Sequence, residues 1–295
     1  MKKRSWSFMI PVLVLAMALP VSALAAAPVV STDWLAQNLN APNQVVIDIR
    51  KVDEYKAGHI PGAVSSTYNT WAVKKGDLLN ELPSEDDLFD ALGAAGITPD
   101  TTVVVIAKFD TPPERTDASR VGWTLKYAGV KNVSLLSGGM GKWAAEKKPV
   151  ITEPVKAKAV AYSGKVDKEV FATKDYVMGR LGKAMIVDVR EPDFFNGKKK
   201  LEFVPKTGRI KGAVNLPNSL LFNQDWTYKD KAGLEKAAVA VVGTDLSREI
   251  IVYCDTGKVC TGWWFMLTQV LGYKNVKSYD GSFMEWARDP NAPME

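Results

Sequence analysis

Val45-Val46-Ile47-Asp48-Ile49-Arg50, followed by Gly58-His59-Ile60-Pro61-Gly62-Ala63-Val64, decides the fold, because the chain carries this pattern twice. The second copy reads Met185-Ile186-Val187-Asp188-Val189-Arg190, then Gly208-Arg209-Ile210-Lys211-Gly212-Ala213-Val214. The two halves recur at offsets of 140 and 150, so the second copy holds ten extra residues, placed around Asn196 to Pro205. Working outward, Thr102–Ala107 matches Glu249–Cys254 at an offset of 147, and Gly129–Val133 matches Gly272–Val276 at 143. Trp143 and Trp286 repeat at that same 143. The runs Val45–Ile49, Val103–Ile106, Ile186–Val189 and Ile250–Tyr253 are β-branched and almost unbroken, as strands covered on both faces should be. Helix-like pieces alternate with them at Glu85–Leu92, Arg120–Ala128, Trp263–Leu271 and Met284–Ala287. Strand and helix in alternation predict an α/β protein: two tandem doubly wound domains with largely parallel sheets. Such sheets bind ligands at the carboxyl ends of their strands.

The domains are read as residues 28–148 and 166–290, joined by a Pro-, Lys- and Ala-containing linker over 149–165. Residues 1–25 read as an export signal. Lys2, Lys3 and Arg4 are followed by the apolar stretch Phe8–Leu19, and Ala23-Leu24-Ala25 sets small residues for cleavage after Ala25 or Ala26. The apolar stretch is shorter than the roughly 20 residues that span a bilayer, so no stable membrane insertion is expected after signal removal. The style of the signal points to a bacterial periplasm. The chain of 295 residues is 46% hydrophobic and 24% charged, which excludes a disordered or disulfide-scaffold protein. Its formal charge of +5 owes three units to the signal, and without them 35 basic residues face 33 acidic ones. That balance gives no support for nucleic-acid binding. No metal-ligand cluster, phosphate-binding glycine motif or dinucleotide fingerprint appears, so neither a metal nor another cofactor is expected.

There are two cysteines, Cys254 and Cys260. A disulfide between them would close a seven-residue loop worth about 2 kcal/mol, a weak reason to keep two thiols in an oxidising compartment. Cys254 ends a buried strand and opens the loop Asp255-Thr256-Gly257-Lys258-Val259, with a helix from about Cys260. Backbone N–H groups of such a turn can converge on one atom, and the helix terminus adds positive potential, so the site favours a thiolate or a persulfide anion. Gly257 permits the turn. In the first copy Ala107 stands in the place of Cys254, and Lys108–Ser119 is longer, contains prolines and lacks glycine. That copy has no nucleophile and no expected cradle. The only histidine, His59, belongs to it and reads as a turn residue.

Asp-hydrophobic-Arg, then Gly-His-Ile-Pro-Gly-Ala, then a strand-end Cys opening a six-residue loop resembles the tandem rhodanese sulfurtransferases. The resemblance runs from about Val30 to Pro290 and takes in Tyr279-Asp280-Gly281 with Trp286. It implies rhodanese folds in both domains, catalysis in the second alone, Cys254 as the nucleophile, and a likeness to exported periplasmic members. The loop length is one the family associates with sulfur, whereas related phosphatases and arsenate-directed enzymes use a longer cradle.

An anionic donor needs cations. Lys258, Arg190 and Arg209 are the candidates, each with a bland alternative as a solvated charge, or for Arg190 an ion pair with Asp188 or Glu191. Asp255 would repel a dianion where thiosulfate sulfurtransferases usually carry a basic residue, with Lys258 available to compensate. Phe194 and Phe195 stand where mercaptopyruvate-using members commonly have an arginine. Cys260 reads either as a small buried helix residue or as a resolving thiol. Trp263-Trp264-Phe265 reads as helix core. The expected activity is transfer of a sulfane sulfur from a small anionic donor of the thiosulfate type, through a Cys254 persulfide, to a thiol or cyanide acceptor. The acceptor side includes a periplasmic redox protein. The alternatives are a mercaptopyruvate sulfurtransferase and a non-turnover persulfide or oxyanion carrier.

Overall fold

The computed structural model describes residues 26–295; the expected export signal over residues 1–25 lies outside them. Among the described residues twelve strands appear in chain order. The first repeat supplies β1 (Val29–Val30), β2 (Gln44–Asp48), β3 (Val64–Ser65), β4 (Val73–Lys75), β5 (Leu78–Glu81), β6 (Thr102–Ile106) and β7 (Asn132–Leu136). The second supplies β8 (Phe171–Ala172), β9 (Met185–Asp188), β10 (Val214–Asn215), β11 (Ile250–Tyr253) and β12 (Val276–Tyr279). One five-stranded sheet has the order β1-β7-β6-β2-β3, and the other, read from its matching edge, β8-β12-β11-β9-β10. Every neighbouring pair in both sheets is parallel. The duplication read from sequence is thus a duplication of topology. β4 and β5 form a separate antiparallel hairpin in the first repeat alone.

The central strands are buried on both faces, which is why β6 and β11 consist of Val, Ile and Tyr with no polar alternation. The helix after β6 runs Asp117–Tyr127 and begins three residues earlier than the pattern suggests, after a 3-10 turn at Glu114–Thr116. Its equivalent after β11 runs Cys260–Phe265 and continues as a π-type turn over Met266–Val270. These two helices pack on each other. At Gly122 a Cβ would lie 3.2 Å from the Phe265 ring, so the absence of a side chain there sets how closely they approach. Trp263, Trp264 and Phe265 are all buried, as core residues of this contact. One apolar cluster, with Val105, Trp123, Val252 and Phe265 among its members, runs through both repeats. Because each helix starts just beyond the carboxyl end of a central strand, their packing brings both strand ends, Ala107 and Cys254, toward the interface between the repeats.

Residues 152–167 carry no helix or strand and lie along the first repeat, where Val160 donates its N–H to the Gly93 carbonyl at 3.0 Å. Among the described residues no helix is long and apolar enough to cross a membrane.

Candidate active site

Cys254 follows β11 and is 1% exposed; it lines a pocket of about 320 Å³. Val189, Phe194, Leu201 and Val259 give the pocket an apolar wall, and Pro112 and Pro113 of the first repeat close it from the opposite side. The loop is held from beneath by the stretch after β12. Phe283 and Met284 donate their N–H groups to the carbonyls of Cys254 and Asp255 at 2.9 Å, and Ser282 Oγ accepts from Cys254 N at 3.2 Å. Gly257 has φ +70°, and a Cβ there would overlap the Asp280 carbonyl, so this loop requires glycine for both its backbone angle and its packing.

Burial pushes the Cys254 thiol up, and the Asp255 carboxylate pushes it the same way. The Cys260 thiol and the N–H groups of Cys260 and Thr256 outweigh both and lower it from 9.0 to about 7. The two Sγ atoms are 3.6 Å apart. Cys260, fully buried and raised well above 9.0 by burial and by the neighbouring Cys254, keeps its proton and donates it to the thiolate. No histidine takes part. His59 is buried in the first repeat, stacked 3.6 Å from the Tyr55 ring, with Nδ1 at 2.9 Å from the Tyr55 carbonyl.

Of the expected cations, Arg190 takes the alternative read for it, an ion pair with Asp188, while Lys258 and Arg209 meet carboxylates not foreseen. Arg190 lines the pocket, but its guanidinium is spent on Asp188, at 2.6 to 3.1 Å, and on the Gly208 carbonyl at 2.8 Å. Arg50 makes the same contacts with Asp48 and the Gly58 carbonyl in the repeat that lacks a thiol. This pair is therefore a device of the fold, holding the strand end to the glycine turn. The part of Arg190 that faces the pocket donates from Nη1 to Asp255 at 3.2 Å. Burial raises the Asp255 carboxyl, while Arg190 draws it back down. Arg190, and not Lys258 as expected, therefore offsets Asp255. Lys258 is ion-paired with Asp117 of the first repeat and sits over the Tyr68 ring at 5.1 Å. Arg209 is not brought to the pocket: it pairs with Glu295 at 3.1 Å and stacks on Phe195 at 4.4 Å, beside a separate cleft. Thr256 Oγ1 accepts from Asn80 Nδ2 at 2.9 Å.

Sequence reasoning missed the contribution of the first repeat. Arg120, fully buried in the helix Asp117–Tyr127, reaches across to the Gly257 carbonyl at 2.9 Å and is ion-paired with Asp280. Asp280 Oδ2 also accepts from Leu82 N at 3.0 Å. Burial and the Asp280 charge push Glu81 up to about 8, so at neutral pH Arg120 faces one carboxylate and not two. The signal in the sequence is a charged residue within the apolar helix after Ala107. The first repeat also has a cavity that was not expected, of about 420 Å³, at Ala107, Arg50 and Tyr68. Lys258 lines it as well, but no cysteine does. Among the described residues no group of three or more His, Cys, Asp or Glu is arranged to hold a metal ion.

Comparison with known proteins agrees with this architecture. A model of the rhodanese-like domain matches residues 31–146 and again 173–289. A candidate thiosulfate sulfurtransferase of Mycolicibacterium smegmatis is 35% identical over 280 residues, covering 90% of this chain and 96% of that one. The sulfur carrier protein TtuD of Thermus thermophilus is 33% identical over 288 residues, covering 90% and 95%. The crystal structure of YnjE superposes with a TM-score of 0.80 at 26% identity, over 90% of this chain and 68% of that one. The anaerobic ergothioneine biosynthesis enzyme of Chlorobium limicola gives 0.80 at 24% identity, over 91% and 70%, a likeness of fold alone. The chain belongs to the rhodanese-like family of sulfurtransferases and carries the family's domain twice.

Proposed function

We propose that this sulfurtransferase works through Cys254, taking a sulfane sulfur from a small donor of the thiosulfate type and passing it to a thiol or to cyanide. The observation that carries the reading is a thiol at the end of β11, lowered to about 7 inside a pocket and supported by two backbone N–H groups and the Cys260 thiol. The thiolate attacks the outer sulfur of thiosulfate, the S–S bond of the donor breaks, and sulfite leaves with the electron pair. The persulfide anion then occupies the cradle that held the thiolate. Attack by a thiol or cyanide on its outer sulfur returns Cys254 to the thiolate, a covalent two-step cycle. Asp255, Thr256, Gly257, Lys258 and Val259 shape the cradle, while Arg190 supports the reaction by neutralising Asp255.

Within this reading residues 28–148 are the catalytically silent domain, 149–165 the linker and 166–290 the catalytic domain. The signal over 1–25 directs the protein to the periplasm, as in exported family members, where a redox protein serves as acceptor. Mercaptopyruvate is the less favoured donor, because Phe194 lines the pocket where an arginine would be wanted for its carboxylate. A persulfide carrier is the second reading, supported by the name of the Thermus relative. Steady-state thiocyanate formation, measured with thiosulfate and with 3-mercaptopyruvate, tests all three. Repeated turnover with thiosulfate is expected; one equivalent of sulfur taken up and held would favour the carrier, and turnover with mercaptopyruvate alone would reverse the donor assignment.

A further inference from the structure

The Cys260 thiol supports the Cys254 thiolate, but the transfer cycle makes no use of the Cys260 sulfur as a reacting atom. Its Sγ lies 3.6 Å from Cys254 Sγ and 3.3 Å from Ser278 Oγ, and it is fully buried. Cys254 lines the pocket, whereas Cys260 does not. The second thiol therefore approaches the first from the protein side, opposite the space where a donor enters and where the outer sulfur of a persulfide would stand. Displacement at sulfur proceeds in line, with nucleophile and leaving group on opposite sides of the atom attacked. Cys260 is thus placed to attack the inner sulfur of a Cys254 persulfide and is remote from the outer one. Burial disfavours a negative charge on Cys260, and two neighbours, the Ser278 hydroxyl and Arg120, act against that penalty as the charge develops. Arg120 is fully buried and its positive charge acts on Cys260, while its Nε and Nη2 have no hydrogen-bond partner among the described residues.

Resting on the Cys254 persulfide proposed above, we infer that Cys260 is a resolving thiol that gives the enzyme a second outlet, release of hydrosulfide with formation of a Cys254–Cys260 disulfide. The Sγ–Sγ bond forms as the bond between Cys254 Sγ and the outer sulfur breaks; Cys260 releases its S–H proton, and the departing sulfur, on the pocket side, takes one from solvent, so no net proton is gained or lost. Cys254 persulfide anion and Cys260 thiol become the disulfide and hydrosulfide anion. The outer sulfur is reduced, the Cys260 sulfur is oxidised by the same amount, and no external oxidant enters. Return to the dithiol form requires two thiol equivalents, from a dithiol or from two monothiols, which are themselves oxidised to a disulfide. The chemistry that resets this site is therefore that of a thiol reductant.

The test uses the reduced, purified protein freed of thiols and treated with thiosulfate, and in parallel with 3-mercaptopyruvate. Hydrosulfide is measured by chemical trapping, and the protein by intact mass. Wild type is expected to release hydrosulfide and finish two hydrogens lighter, with dithiothreitol restoring a second round. Cys260→Ser is expected to hold a stable extra sulfur atom and to release hydrosulfide roughly 100-fold more slowly, because a thiol held against its target has an effective concentration that no dilute solution thiol supplies. Cys260→Ala, with folding checked by circular dichroism, repeats the comparison without a hydroxyl. A wild-type protein that holds its extra sulfur as firmly as Cys260→Ser overturns the inference and leaves the Cys254 persulfide standing. An extra sulfur mapped to Cys260 also overturns it, since the outer sulfur was then the one attacked. If wild type releases neither sulfite from thiosulfate nor pyruvate from 3-mercaptopyruvate, the Cys254 reading itself falls.

Discussion

Replacing Arg120 by methionine tests whether the repeat without a thiol is structurally part of the site. The Arg120 side chain is fully buried and that of Asp280 is 2% exposed, so solvent does little to screen their attraction. Arg120→Met leaves the Asp280 carboxylate with the Leu82 N–H as its remaining donor, and takes the side-chain donor from the Gly257 carbonyl. Removing one partner of a buried pair typically costs about 3–5 kcal/mol, because the other charge is left in a medium that solvates it poorly. At about 2–4 °C per kcal/mol for a chain of this size, the melting temperature should fall by roughly 6–20 °C, read by calorimetry or circular dichroism. Arg120→Met combined with Asp280→Asn should recover part of that loss, with a coupling energy of about 2–3 kcal/mol in the double-mutant cycle. Sulfur transfer should weaken along with stability, since the freed carbonyl belongs to the turn that cradles Cys254. A single variant within about 1 kcal/mol of wild type, the range of an ordinary substitution, would falsify this account of the interface. Strict additivity in the double variant would do the same.

Alkylation of Cys254 by iodoacetamide should rise with pH through a midpoint near 7, and Cys260→Ala should move that midpoint upward because the thiol donor is lost; a wild-type midpoint at or above 9.0 would contradict the hydrogen-bonded thiolate. Glu81 gives a pH dependence of stability. Its carboxyl is raised by burial from 4.5 to about 8, so the folded chain holds a proton that the unfolded chain has released. That contribution is complete below pH 4.5 and is lost as pH rises through about 8. Glu81→Gln should flatten the fall in denaturation midpoint across that window and raise stability at its upper end; an unchanged slope would place the proton elsewhere.

The duplication was legible because it is written in strand residues, and β2, β6, β9 and β11 fall within a residue of their expected bounds. Burial on both faces leaves those strands few residue types to use. The Cys254 loop was legible for a related reason, since a thiol at a strand end followed by Gly257 leaves few conformations open. The long-range partners of the charged side chains were not legible. Arg190 pairs with Asp188, one of the two partners its spacing offers, but Lys258 meets Asp117 of the first repeat, which depends on how the repeats pack. Arg209 pairs with Glu295, 86 residues away within the second repeat, a contact that only the tertiary fold of that repeat makes. The pairing of Arg120 with Asp280 spans 160 residues and exists only because the two central helices lie against one another.

The most direct measurement uses thiosulfate carrying radiosulfur at its outer position, with cyanide as acceptor, and follows labelled thiocyanate formed by wild type and by Cys254→Ser. A serine hydroxyl is not ionised near neutral pH and forms no persulfide, so a folded Cys254→Ser protein should produce none, while wild type should turn over with parallel double-reciprocal lines as either substrate is varied. Labelled thiocyanate formed by that variant at more than a trace of the wild-type rate would contradict the assignment of the sulfur-carrying atom to Cys254.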